Sequence, residues 1–254
     1  MRLTRIYVAE ALADRKQINL PEQASGHLTR VLRLGQGDAL RVFDGNGGEY
    51  DAVIRSVGKR STTLDIKQFH DLDCESPLAV TLLQGIARGE RMDLIVQKAT
   101  ELGVQAIQPL LSLRSNVKLD AEAALRKVEH WQAVAAGACE QSGRNRLPRI
   151  LPPCSVAEAC AASTAGLRLT MAIDGAEPLP TLLRGAGSAL GAGIAVLIGP
   201  EGGLDDSEQA VAAQHGFRST LLGPRVLRTE TASLAVLSAL QALAGDFDLA
   251  PSLP

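Results

Sequence analysis

Aromatic side chains are scarce: Tyr7, Phe43, Tyr50, Phe69, Trp131, Phe217 and Phe247 supply only 3% of the 254 residues. A protein that holds single-stranded bases by stacking would have very few rings to use, so arginine must carry most of any nucleic-acid contact. Cysteine is sparse as well. Cys74, Cys139, Cys154 and Cys160 form no CxxC pair, and a chain of this size has enough core to need no covalent staples, so they are expected to be reduced packing thiols. No apolar run approaches the ~18 residues of a membrane span. The opening MRLTRIYVAEALADRK places charges where a signal peptide would carry its apolar stretch, and the expectation is a cytoplasmic protein.

Catalytic signatures are missing too. His27, His70, His130 and His215 stand singly, without the spacing of metal ligands, so no metal is expected. There is no GxGxxG, no GxxxxGK[ST] and no GxSxG, which argues against a dinucleotide enzyme, a P-loop NTPase and a serine hydrolase. The formal net charge of −2 excludes a uniformly basic surface but allows a local patch.

What is present is an ordinary globular composition, 46% hydrophobic and 21% charged, long enough for one large domain or two smaller ones. Residues 1–72 carry 11 Lys and Arg against 9 Asp and Glu, and residues 73–254 carry 15 against 19. The basic side is therefore the N-terminal one. Residues 1–72 read as short β-runs broken by turns: RIYVAE, INLP, a loop-to-helix segment EQASGHLTRVLRL, then two alternating runs around Asp44-Gly45-Asn46-Gly47-Gly48, and STTLDIKQ. Gly and Asn tolerate the positive φ angles of a tight hairpin turn, so this part predicts a small β-barrel. In HLTRVLRL, Leu28, Val31, Leu32 and Leu34 are expected in its core.

A boundary falls at DLDCESP, and from residue 73 strands alternate with helices. LAVTLLQGI, VQAIQPLL, LRLTMAID, GIAVLIG and FRSTLLG read as strands. Met92, Ile95, Val96, Ala99 and Leu102 recur at helical spacing until Gly103. Residues 120–141 and SVAEACAA read as helices, Asp205 with Glu208 predicts a capped helix start, and TETASLAVLSALQALAG is the last helix. Strands separated by helices imply an α/β fold, a parallel sheet covered on both faces.

Two strand ends run straight into glycine-bearing loops: GIAVLIG into Pro200-Glu201-Gly202-Gly203, and FRSTLLG into Pro224-Arg225-Val226-Leu227-Arg228-Thr229-Glu230-Thr231-Ala232. Ligands of open α/β sheets bind beyond the carboxyl ends of strands, and glycine lets a backbone approach a ligand closely. Plain strand-to-helix turns would look similar in any one loop. Two in one chain, the second dense in Arg, Thr and Glu, favour a binding site.

The segments LLQGIARGERMDLIVQKATELGVQAIQPL, ACEQSGRNRLPRI, LIGPEGG and LLGPRVLRTETA, in that order behind a small β-barrel, closely resemble the bacterial 16S rRNA (uracil-N3)-methyltransferase family of the SPOUT class. The resemblance spans nearly the whole chain. It implies a PUA-like RNA-binding β-barrel over 1–72, a SPOUT methyltransferase domain over 73–254 whose chain end threads a deep trefoil knot, and a homodimer. Knots break the usual connection rules, so periodicity alone would not suggest one. The implied cofactor is S-adenosyl-L-methionine, and the implied substrate is N3 of one uridine of 16S rRNA near the decoding region of the 30S subunit.

Carried onto these residues, the resemblance makes Leu197, Ile198, Gly199, Gly202, Gly203, Leu222, Gly223, Val226, Leu227 and Thr231 the cofactor-binding set. N3 of uracil is a weakly acidic imide, so its methylation needs a proton removed and the resulting negative charge stabilised. Arg225 and Arg228 are placed to supply positive charge. Glu230 and Glu201 are the nearest carboxylates for the proton, and each fits equally well as a helix N-terminal acid. Arg144, Arg146 and Arg149 cluster at a helix end, where they either complement the dipole or grip RNA phosphates. Arg2, Arg5, Arg30, Arg33 and Arg41, with His27 beside them, are the phosphate-contact candidates of the barrel, or else its solvated face. The last helix, with Leu234, Leu237, Ser238 and Leu240, is apolar enough to suggest a subunit contact. A ribose 2′-O-methyltransferase of the same class and a non-catalytic RNA-binding assembly factor remain open alternatives.

Overall fold

The computed structural model describes residues 3–115, 117–172 and 176–249. Arg2 lies outside the described residues. The described residues divide into two compact units: one up to Glu75 together with Cys139–Leu147, and one of Ser76–Ala138 together with the residues from Pro148 onward.

The first unit contains β1 (Arg5–Tyr7), β2 (Gln17–Leu20), α1 (Glu22–Gly26), a π-helical turn (His27–Val31), β3 (Ala39–Phe43), β4 (Glu49–Val57) and β5 (Thr62–His70). Alternation decides which face is buried: Ile18 and Leu20, Leu40 and Val42, Ala52 and Ile54, and Leu64 and Ile66 point into one apolar cluster. Asp44 fixes the hairpin by accepting from the amides of Asn46 and Leu12, each at 3.0 Å. The strand order is β1-β3-β4-β5-β2. β1 pairs parallel with β3 and every other pair is antiparallel, with bulge-like register shifts between Tyr50 and Ala52 and between Ile54 and Ser56. Backbone pairing among the described residues does not close from β1 to β2, so the expected barrel is an open one.

One core expectation needs correction. Leu28 is fully buried and Leu34 packs against the cluster, but Val31 is 65% exposed and Leu32 37%. The amide of Leu32 reaches the carbonyl of His27, a wider turn than an α-helix makes, which swings Val31 off the face that Leu28 occupies. The chain then leaves the turn through Arg33, at φ 57°.

In the second unit, β6 (Val80–Gly85), β7 (Ala106–Leu111), β8 (Arg149–Ile150), β9 (Cys154–Ser155), β10 (Leu167–Met171), β11 (Glu177–Pro178), β12 (Ile194–Ile198) and β13 (Arg218–Leu221) form one sheet. Its order is β11-β13-β10-β12-β6-β7-β8, with β9 also on β7. Every pairing is parallel. The helices are α2 (Glu90–Glu101), α3 (Ala121–Ser142, whose last turn belongs to the first unit), α4 (Val156–Ala162), α5 (Leu179–Ala186), α6 (Asp206–Gln214) and α7 (Thr229–Ala244). The period of two in β12 shows why the run is continuously apolar. Ile194, Val196 and Ile198 join the cluster that holds Ile95, Leu182 and Leu237, whereas Ala195 and Leu197 join Val156, Cys160 and Ala212. The sheet is thus covered on both faces, as the alternation of segments implies.

α6 begins as the sequence predicts, with Asp205 at its N-cap and a reciprocal capping box with Glu208. Glu208 also accepts from the Ser112 hydroxyl and the Leu113 amide, both at 2.9 Å, which ties the end of β7 to α6. α5, opened by Pro180 in its first turn, has no counterpart in the sequence reading. In α7, Leu237 and Leu240 are fully buried within the chain, so much of the helix's apolar character serves its own core. All four cysteines are free thiols. Burial pushes the Cys139 and Cys160 thiols up to about 11, which suits packing groups and not reactive ones.

Candidate active site

β13, β10 and β12 are neighbours, and their carboxyl ends open on a cavity of about 690 Å³. Its walls are residues 170–172 at the end of β10, 198–204 from the end of β12, and 221–223 and 225–228 from the end of β13, with Thr229, Glu230 and Ala232 of α7; Arg91, Arg114 and Gln209 complete it. This is the crevice position that ligands take in open parallel sheets.

Glycine is required where the wall folds on itself. A Cβ on Gly199 would lie 2.8 Å from the Gly203 carbonyl carbon, and one on Gly202 would lie 2.9 Å from the Arg114 carbonyl oxygen. No side chain fits at those distances, so the wall is backbone presented directly to the cavity.

Of the residues singled out in the sequence, the cavity brings together Ile198, Gly199, Gly202, Gly203, Leu222, Gly223, Arg225, Val226, Leu227, Arg228 and Glu230. It does not include Leu197, whose side chain points into the α4–α6 core, or Thr231, which is exposed on α7. Thr229 takes the lining position instead. Arg91, Arg114 and residues 170–172 were not anticipated. Arg91 lies inside one of the quoted motifs, but only the sheet order brings the carboxyl end of β10 to this place.

The two carboxylates now separate. Glu201 accepts from the Arg88 amide at 3.0 Å and from Arg91 Nη1 at 2.8 Å. Burial pushes its carboxyl up, but those two donors and the charge of Arg91 outweigh it and hold the group below the usual carboxylate range. Glu201 is therefore a fixed anion at the mouth. Glu230 lies 4.0 Å from Arg91 Nε through Oε1, and its Oε2 is buried without a hydrogen-bond partner. The residue stands in the first turn of α7, the position of a helix N-terminal acid, and the N-cap residue Arg228 makes no side-chain cap bond. An unpaired buried carboxylate oxygen is costly to leave unfilled, so the cavity presents one acceptor waiting for a donor. Arg225 and Arg228 are exposed on the same wall and make no ion pair among the described residues.

In the first unit the arginines sort by burial. Arg5 is 8% exposed, and its guanidinium donates to Glu49 Oε2 at 2.7 Å, to the carbonyls of Cys139 (2.6 Å), Glu140 (3.4 Å) and Arg144 (3.1 Å), and to Asn145 Oδ1. Those bonds use all the donors that an arginine has. It also lies 4.5 Å over the Phe43 ring. Arg144 is 4% exposed and pairs with both oxygens of Glu75. Neither guanidinium is free for a phosphate, so that expectation is corrected for both. The cation serving the end of α3 is Arg5, far away in sequence, and not the adjacent cluster. Arg41 is committed to Glu49 and Asp51. Arg146 is exposed and donates to the Asn46 carbonyl at 2.8 Å, and Arg149 is exposed. Arg30, Arg33 and His27 are exposed, and neither arginine forms an ion pair among the described residues.

Comparison with known proteins agrees with these features. The family model described as an RNA methyltransferase domain matches residues 74–241, and the one described as an RNA methyltransferase PUA domain matches residues 20–67. The chain is thus of the RNA methyltransferase class. It is 32% identical to ribosomal RNA small subunit methyltransferase E of Bacillus subtilis over 84% of this chain and 85% of that protein. It is 34% identical to the Synechocystis protein of the same name over 94% and 77%. Among solved structures it resembles the Neisseria gonorrhoeae ribosomal RNA small subunit methyltransferase E bound to S-adenosyl methionine, with TM-score 0.86 and 38% identity over 97% of this chain and all of that one. A putative methyltransferase from Legionella pneumophila in complex with the same bound cofactor aligns with TM-score 0.90 and 36% identity over 97% and 100%. The chain belongs to the ribosomal RNA small subunit methyltransferase E family.

Because Arg5 fills its whole hydrogen-bonding capacity inside the first unit, Arg5→Ala leaves Glu49 with Arg41 alone and removes a buried donor from Asn145 Oδ1 and from three carbonyls. It should cost about 3–5 kcal/mol of stability. Chemical denaturation checks this, and a loss under 1 kcal/mol would show that the network contributes little.

Proposed function

We propose that this chain transfers the methyl group of S-adenosylmethionine to N3 of a uridine in 16S rRNA, near the decoding region of the 30S subunit. The observation that supports this best is the cavity itself. Backbone and small apolar groups suit a flat adenosyl group, the unpartnered Glu230 oxygen suits a donor, and two unpaired arginines share the wall. A bound S-adenosylmethionine supplies an electrophilic methyl on a sulfonium; the remaining work belongs to the chain.

Glu230, with a free oxygen, takes the N3 proton, while Glu201 stays locked to Arg88 and Arg91. Arg228 and Arg225 stabilise the negative charge that then spreads over the flanking carbonyl oxygens of the base. Residues 198–203, 222–223 and 225–227 would hold the cofactor so that its methyl could pass to N3, with the thioether as the leaving group. Residues 1–72 act as the PUA-like RNA-binding domain, with Arg30 and Arg33 as phosphate contacts that remain exposed, joined by the exposed Arg146 of the 139–147 segment. Residues 73–254 act as the SPOUT methyltransferase domain, with the 199–204 and 221–228 loops forming its trefoil knot. The reading includes a homodimer, supported by the partly exposed Leu234 and Ser238 of α7 and by Leu243, which is 52% exposed. Sedimentation velocity at micromolar concentration should give twice the chain mass, and a monomer there would remove the dimer.

The two kinds of arginine should fail differently. Arg228→Ala should lower the single-turnover rate with saturating 30S subunits on the order of a hundredfold, because it acts on charge that develops in the transition state. Arg33→Ala should keep that rate and lower the salt dependence of RNA binding by about one unit. A full rate in Arg228→Ala would remove it from the reaction, and an unchanged salt slope in Arg33→Ala would remove it from the RNA contact.

A further inference from the structure

Behind the cavity wall, four polar groups form a closed set. Gln84, at the end of β6, has no solvent exposure, and its Nε2 donates to the Gly85 carbonyl and to Thr229 Oγ1, each at 2.9 Å. Its Oε1 lies 2.6 Å from Ser233 Oγ, which is also 2.8 Å from the Thr229 carbonyl. Thr229 Oγ1 in turn lies 2.7 Å from the Gly199 carbonyl.

Proton counting fixes the roles of Thr229 and Gln84, whereas the single proton of the Ser233 hydroxyl faces two acceptors, Gln84 Oε1 and the Thr229 carbonyl, and serves one of them at a time. A carbonyl only accepts, so the single proton of the Thr229 hydroxyl goes to Gly199. The hydroxyl must then accept from Gln84, which sets the amide with Nε2 toward Thr229 and Oε1 toward Ser233. The set joins three places far apart in sequence: the end of β6, the first turn of α7, and the first residue of the loop after β12. Both loops that wall the cavity are gripped at one point, since Gly199 opens one and Thr229 follows the other directly.

We propose that Thr229 is a positioning residue that sets the spacing between the two walls of the cofactor cavity, with Gln84 and Ser233 holding its hydroxyl in the donating direction. The inference rests on the cofactor reading above. Its ligand is the adenosyl portion shared by S-adenosylmethionine and S-adenosylhomocysteine, because wall spacing acts on shape and not on the sulfonium charge.

The test is calorimetric titration of each cofactor into the full chain. Thr229→Val keeps the volume and removes the hydroxyl. It should weaken both cofactors about tenfold, equivalent to about 1.4 kcal/mol, with their affinity ratio unchanged. Thr229→Ser should restore wild-type binding. Ser233→Ala, which removes the support of Gln84 and the bond to the Thr229 carbonyl but leaves the Thr229 hydroxyl in place, should weaken both by a smaller factor of about two to five, and it carries the test if Thr229→Val does not fold. If the folded variants bind both cofactors within twofold of wild type, whatever their melting temperatures, the positioning role is wrong. A changed ratio between the cofactors would also overturn it, by assigning the site to charge. If the wild-type chain binds neither cofactor, the cofactor reading itself fails.

Discussion

The Thr229 hydroxyl, 2.7 Å from the Gly199 carbonyl, is where the architecture of the sheet becomes a site. Parallel strands bring β10, β12 and β13 side by side and leave their carboxyl ends open. A hole at strand ends is not yet a binding site, because loops that leave a sheet diverge unless something holds them. Here the restraint is polar and buried, with no solvent exposure at Gln84 and Ser233 and 6% at Thr229, where it lines the cavity. In a low-dielectric interior each of its members depends on the others, since a broken bond would leave an unpaired group behind it. Backbone contact completes the wall, as Gly199 and Gly202 allow distances that no side chain permits.

Electrostatics sorts chemically identical side chains into different tasks. Arg5 is buried and saturated, Arg144 is buried against Glu75, and both hold the first unit together. Arg225 and Arg228 are exposed at the cavity with no ion pair among the described residues. Arg91 stands between, neutralising Glu201 while reaching to 4.0 Å from Glu230. The same division applies to the carboxylates. Glu201 is depressed by its donors, whereas Glu230 keeps an oxygen without a partner.

Much of this was legible in the sequence for physical reasons. The hairpin at Asp44–Gly48, the capped start of α6 and the period of two in the strands are local rules, and local rules survive folding. The cavity loops were legible because they sit at strand ends. Leu197 was misplaced because a strand buried on both faces offers no polar residue to mark its parity, and only the neighbours reveal that it faces α4 and α6. Val31 was misplaced because a π-turn has no strong composition signal. The role of Arg5 could not be read, since Glu49 lies 44 positions away and its carbonyl partners more than 130, and nothing local marks the pairing. The Gln84–Thr229–Ser233 set is invisible for the same reason, although Gln84 and Thr229 stand inside the quoted motifs and Ser233 directly follows one.

The chemistry assigned to the cavity, attack by a uracil N3 and not by a ribose hydroxyl, is tested most directly by nucleoside mass spectrometry of 16S rRNA from cells with and without this gene. Loss of N3-methyluridine on deletion, restored by the wild-type chain, is the expected result. An unchanged N3-methyluridine content, or loss of a 2′-O-methylated nucleoside in its place, would contradict the assignment.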